Sequence, residues 1–255
     1  ATEGFPEVAM EFYDRALAAD PEDLFIRMNR AACLTRLGRW EEATSFYRSI
    51  LERGYHGRAY HLHDCLLRLW NIAETRESEP ECLAYFGTLV DRTDIAWRSD
   101  LGREVLALLV RLQMTDEAMR FLPPRTDPTA RLDGWRLVAR GCREAGDFDR
   151  AVAILKEAAK EVSGVDGSRW VLEQDAAFLA AEQGRVDEAI TRLKGIANGN
   201  RDPEAQDMLF HAARLADENG ETGRARDLYR AFLASPSTSF PIRFTAGKRL
   251  AELGE

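Results

Sequence analysis

Apolar residues recur along this chain at helical spacing, and short polar breaks cut the stripes into segments of helix length. The most regular feature is a small or apolar residue followed by apolar residues four and seven positions on. It appears as Ala9/Tyr13/Ala16, Ala43/Tyr47/Ile50, Ala151/Leu155/Ala158, Ala189/Leu193/Ile196 and Ala225/Tyr229/Phe232. Offsets of four and seven put all three side chains on one helix face. Gly38, Gly146 and Gly184 each stand five residues before the leading Ala of such a set, as Gly220 does before Ala225, and Gly254 closes the series. From Gly146 onward the glycines are 38, 36 and 34 residues apart. Each lies between two apolar stripes, where the backbone must leave the helix and a residue without Cβ does so cheaply. The pattern predicts an all-α chain of repeated antiparallel helix pairs, here called A and B helices, with no strands.

Two regions depart from the cadence. Residues 73–81 are polar and are expected to stretch the turn of one pair by about five residues relative to a 34-residue unit. Its B helix then reads Cys82/Phe86/Leu89. In the next pair Ala118 and Leu122 keep register, but Pro123-Pro124 should cut the B helix after roughly two turns, because proline removes a donor and clashes inside a helix. The expected units are a half repeat at 1–22, pairs at 23–56, 57–95, 96–124, 130–163, 168–200 and 204–236, and a half repeat at 240–255. Starting and stopping mid-repeat suggests a piece of a longer array.

The pattern resembles the tetratricopeptide repeat, whose unit reads Trp-x2-Leu-Gly-x2-Tyr, then Ala-x3-Phe, then Pro. Trp135 falls on the family tryptophan, with Val138, Ala139 and Cys142 on the following A-helix positions; Pro21 falls twelve residues after Ala9. In the pair containing Gly38, Arg27 and Arg30 stand where Trp and Leu would be. The resemblance covers essentially the whole chain. It implies a right-handed superhelical solenoid that acts as a non-catalytic protein–protein interaction scaffold and needs no cofactor.

The resemblance also implies a groove lined by A helices. Its family positions carry over to an apolar part, Phe25, Met28, Leu62, Leu66, Leu69 and Trp70, then a basic part, Arg103, Arg111, Arg136, Arg140 and Arg143. A mixed part follows, with Gln174, Phe178, Phe210, Arg214, Asp217 and Lys248. Arginine suits forked recognition of carboxylates, so the expected partner is a protein offering an acidic or amphipathic segment. A plainer reading has the arginines as a solvated face paired with Glu104, Asp133 and Glu144. A glycan stacked on Trp70 and the phenylalanines is a second alternative. The setting implied is the periplasmic repeat region of a bacterial exopolysaccharide-export protein of the cellulose, alginate or Pel type. There the array would dock a polysaccharide-modifying enzyme; a cytoplasmic adaptor or assembly scaffold is the alternative setting.

Composition narrows the classes further. Among 255 residues the net charge is −8, which argues against a nucleic-acid partner. No run approaches the roughly 18 apolar residues of a membrane helix, and the first residues lack a basic and apolar leader. The 31 Arg against 4 Lys point to a GC-rich bacterial coding sequence. Cys33, Cys65, Cys82 and Cys142 are dispersed on helical stretches, read as buried small apolar residues, and lean toward a reducing compartment. His56, His61, His63 and Cys65 cluster in sequence, yet only His61 and Cys65 share a helix face, which reads as a helix flank rather than a metal site. No phosphate loop, nucleophile elbow or HExxH helix is present.

Overall fold

The computed structural model describes residues 6–53, 59–92, 98–161, 168–200, 202–236 and 240–254; these form fifteen helices and contain no strand. The chain divides into two compact units, Ala1–Pro123 and Pro124–Glu255, at the diproline.

The first unit holds α1 (Pro6–Ala19), α2 (Leu24–Arg36), α3 (Trp40–Arg53), α4 (Ala59–Thr75), α5 (Glu79–Asp91), α6 (Arg98–Arg111) and α7 (Thr115–Arg120). Each helix packs on the next, and α4 also packs on α6, so α2, α4 and α6 are A helices and α3, α5 and α7 their B partners. Helix α7 is only six residues long and stops before Pro123. The second unit holds α8 (Pro128–Glu144), α9 (Phe148–Glu161), α10 (Ser168–Glu182), α11 (Val186–Gly199), α12 (Pro203–Gln206), α13 (Met208–Glu218), α14 (Thr222–Ala234) and α15 (Phe240–Glu252). Here α8, α10, α13 and α15 are A helices, and α9, α11 and α14 are B helices. The short α12 is an N-terminal turn in front of α13. Its Gln206 is buried and donates to the carbonyls of Ala197 and Asn200, tying it to the end of α11.

The helix starts are capped where the sequence offers a short acceptor. Asp23 accepts from the Ile26 amide and Asp127 from the Ala130 amide, at 2.9 and 3.0 Å. Pro128 follows Asp127 at the position where a missing N–H costs nothing.

The B-helix triads form the core. Ala43, Tyr47 and Ile50 are fully buried, as are Phe86, Ala151, Ala158, Ala189, Leu193, Ala225 and Phe232. Truncating Phe86 or Phe232 to Ala is worth about 3–5 kcal/mol at sites so enclosed.

The turn between A and B helices uses one device throughout. Gly146 has φ 79°; its amide donates to the Arg143 carbonyl and the next amide, of Asp147, reaches back to Cys142, both at 2.9 Å. Gly38, Gly184 and Gly220 repeat this geometry. So do two residues that are not glycine: Glu77, φ 53°, and Gln113, φ 60°. Ser78 donates to Ala73 and Met114 to Leu109, each at 2.9 Å, closing the same turn. The left-handed stations thus run 38, 77, 113, 146, 184, 220 and 254, at intervals of 39, 36, 33, 38, 36 and 34 residues.

This corrects the expectation of a stretched turn at 73–81. Helix α4 runs to Thr75, and α5 begins two residues after Glu77, as α3 begins two after Gly38. The extra residues of this repeat therefore lie before the turn.

Arg27, at the tryptophan station of its repeat, is 6% exposed. Its stem packs in place of the indole while Nη2 donates to Ser49 Oγ at 2.8 Å, and Glu22 lies 3.6 Å from Nη1. Arg30 reaches Asp14 at 2.6 Å and lies 4.4 Å over the Phe46 ring.

Candidate partner-binding surface

The anticipated surface falls on both units and is described unit by unit. In the first unit, Phe25 is 67% exposed and Met28 is half-buried on α2. Leu62, Leu66, Leu69 and Trp70 are core residues, with exposures of 5%, 0%, 4% and 3%, and cannot form a docking face. The cause is register. With Glu77 as the left-handed residue, Leu66, Leu69, Trp70 and Ala73 precede it by 11, 8, 7 and 4 positions. Trp135, Val138, Ala139 and Cys142 stand at the same offsets from Gly146 and are equally buried. The open face of α4 therefore carries Leu67, Asn71 and Glu74, of which the last two are exposed. With Trp70 enclosed and Phe210 at 6% exposure, two of the aromatic platforms that a stacked glycan would use are also gone.

Arg103 and Arg111 are exposed on α6. Arg103 pairs with Asp100 at 3.0 Å. Arg111 Nη1 lies 2.6 Å from His63 Nε2, and His63 Nδ1 lies 3.2 Å from Glu104. A guanidinium can only donate, so Nε2 accepts and Nδ1–H donates to Glu104. His63 is thereby engaged in an A-helix network. His61 and Cys65 are buried, and His56 lies outside the described residues. Among the described residues no three His, Cys, Asp or Glu side chains converge as metal ligands.

In the second unit Arg136, Arg140 and Arg143 project from α8 on the face opposite Trp135, Val138 and Cys142. Their surroundings differ. Arg136 grips Asp175 of α10 with both Nε and Nη2, at 2.6 and 3.1 Å, and this pairing holds the guanidinium firmly in its charged form. Arg143 comes only within 3.7 Å of Glu182. Arg140 is exposed, and no carboxylate among the described residues lies within 4 Å of it. The solvated-face alternative named Glu104, Asp133 and Glu144 as partners; the observed ones are Asp100, Asp175 and Glu182, with Glu104 bound to His63.

Further along, Phe178 of α10 meets His211 of α13 edge to face at 5.6 Å, and Arg249 of α15 grips Asp217 of α13 at 2.6 and 2.9 Å. Arg214 turns to Glu218 and Lys248 lies 3.9 Å from Glu252. Burial lowers the His211 pKa, and the Arg214 charge lowers it further against the opposing pull of Asp207.

Residues 2–56 match one model of the tetratricopeptide repeat and residues 143–209 match another. The sequence signature is that of the tetratricopeptide repeat. Tetratricopeptide repeats generally mediate protein–protein interaction, and their fold is typically a non-catalytic scaffold. No curated protein sequence matches the chain. Similar solved structures include the Naa15/Naa10 complex bound to HypK (16% identity, 97% of this chain and 36% of that one, TM-score 0.45). Another is the tetratricopeptide-sensor protein PH0952, a signal-transduction ATPase of Pyrococcus horikoshii (14%, 95% and 40%, 0.48). A third is the tetratricopeptide-like repeat array of a putative kinesin light chain from Podosopora anserina (16%, 76% and 100%, 0.43). The chain spans only about a third of the first of these relatives.

Proposed function

We propose that this chain is a non-catalytic scaffold that holds a partner protein on the open faces of its A helices, through an acidic or amphipathic segment of that partner. The observation that supports this reading most directly is the division of labour on α8. Trp135, Val138, Ala139 and Cys142 are enclosed by packing, while Arg140 and Arg143 on the other face project donors that neighbouring helices do not fully take up. Side chains that pack only internally hold a fold together; charged side chains kept available on a rigid element can hold something else. The setting in exopolysaccharide export, with a polysaccharide-modifying enzyme as the held protein, rests on the sequence resemblance.

The test is capture by the immobilised chain from its native host. Recovery of a stoichiometric protein partner, lost on charge reversal by Arg140→Glu, supports the reading. Recovery of polymer with no protein overturns it.

A further inference from the structure

Helices α8, α9 and α10 leave a small cleft of about 60 Å³ in the second unit, floored by Leu155 and Leu179 and edged by Phe178, Arg136, Arg140 and Arg143. The three arginines do not offer the same chemistry. Arg136 is saturated at its fork by Asp175. Arg143 has no hydrogen-bonded carboxylate within reach, since Glu182 stands 3.7 Å away, and Arg140 has no ion-pair partner among the described residues. Two guanidinium groups one helical turn apart therefore stand above an apolar floor with donors to give. A carboxylate placed between them would complete their hydrogen bonding. An apolar group beside that carboxylate would cover the leucines.

We infer that this cleft is a recognition site for a peptide in which an aspartate or glutamate neighbours an aliphatic side chain. The acid lies across Arg140 and Arg143 and the aliphatic group rests on Leu155, Leu179 and the Phe178 edge. The inference rests on reading the chain as a protein-holding scaffold and adds the chemistry that it reads. Asp175 is a positioning residue here: by occupying Arg136 it bars a carboxylate from that end and gives the site a direction. A sugar acid would share the carboxylate, but it brings no aliphatic side chain for the floor, and Phe178 is already packed against His211.

The probes are a blocked pentapeptide alternating glutamate with leucine, its glutamine counterpart, and an oligouronate, each titrated calorimetrically into the full chain at low ionic strength. The glutamate peptide should bind saturably and the glutamine peptide should not. Arg140→Ala and Arg143→Ala should each weaken binding about tenfold, the size of one charge-assisted hydrogen bond. Arg140 is exposed and unpaired, so its variant should melt like the parent, which separates lost binding from lost folding. Equal binding of both peptides, indifference to Arg140→Ala, or binding of the oligouronate in place of the peptide would overturn the inference. If a host protein is still captured by the Arg140→Ala chain, the cleft assignment falls while the scaffold reading stands. If no protein is captured by either chain, both fall.

Discussion

Arg27 in α2 and Trp135 in α8 occupy the same station of their repeats, eleven residues before Gly38 and Gly146 respectively, and both are buried. One fills it with an indole, whose Nε1 donates to Glu161 at 3.0 Å; the other fills it with a guanidinium that reaches Ser49. A charge in such a place is a weak source of stability, because its desolvation offsets its attraction. Arg27→Met keeps the packing and removes the charge, and Glu22 is solvated and still paired with Arg53 at 2.5 Å. Urea denaturation should show that variant equal to the parent or more stable by about 1 kcal/mol, whereas Arg27→Ala should lose about 2 kcal/mol to the cavity. A large loss in both would assign the stability to the ion pair instead.

The left-handed turns at Glu77 and Gln113 carry a side chain where glycine serves elsewhere. Glu77→Gly and Gln113→Gly should each stabilise by about 0.5–1 kcal/mol, the left-handed penalty less the extra chain entropy of glycine. Gly146→Ala should cost about 1 kcal/mol although its new methyl would meet no atom within 4 Å, since the backbone conformation alone opposes it. Denaturant midpoints measure all three.

Burial raises the Glu161 carboxyl pKa, but hydrogen bonds from Arg131, Arg125 and Trp135 more than reverse this and hold it below the usual range. The fork from Arg249 does the same for Asp217. Depressed carboxylates stabilise the fold above the unfolded pKa, near 4, and the contribution disappears as pH falls through the folded value. Melting temperature should therefore hold between about pH 7 and 5 and drop below about pH 4. Glu161→Gln should melt lower at neutral pH and show a shallower acid drop.

His211 acts in a separate window. Its pKa is lowered, so the stability it brings is complete above the unfolded histidine value of about 6.5 and declines as pH falls through it. The parent should lose melting temperature between about pH 7 and 5, and His211→Gln should lose less over that interval. An identical slope in the two proteins would remove His211 from the account.

All four cysteines are buried, and burial pushes the Cys65 and Cys82 thiols up to about 12. Thiolate is the reactive form. A chromogenic disulfide reagent should find almost no reactive thiol in the native protein at pH 8 and four after denaturation.

The B helices were legible because their core is local: a small residue, then apolar residues at four and seven, all within one helix. The diproline boundary was legible for the same reason. Two things were not. Glu77 and Gln113 carry no turn signal of their own, so the open face of α4 was read about one helical turn out of register, and Leu62, Leu66 and Trp70 were placed outside. Their burial could have been found from the offsets alone, since Leu66, Leu69, Trp70 and Ala73 repeat the spacing of Trp135, Val138, Ala139 and Cys142. The carboxylate partners of the arginines were beyond reach, because Asp175 lies 39 residues from Arg136 and only packing of α8 beside α10 brings them together.

The forks from Arg136 to Asp175 and from Arg249 to Asp217 join neighbouring A helices in the second unit, above apolar contacts that join the same stack. The two kinds of joint respond oppositely to dissolved ions: charge pairs weaken as salt screens them, while apolar burial does not. The stack thus behaves as a spring with a solvent-set stiffness, tauter in dilute buffer and more compliant in brine, and the surface it presents can be relaxed or tightened with every covalent bond left as it was.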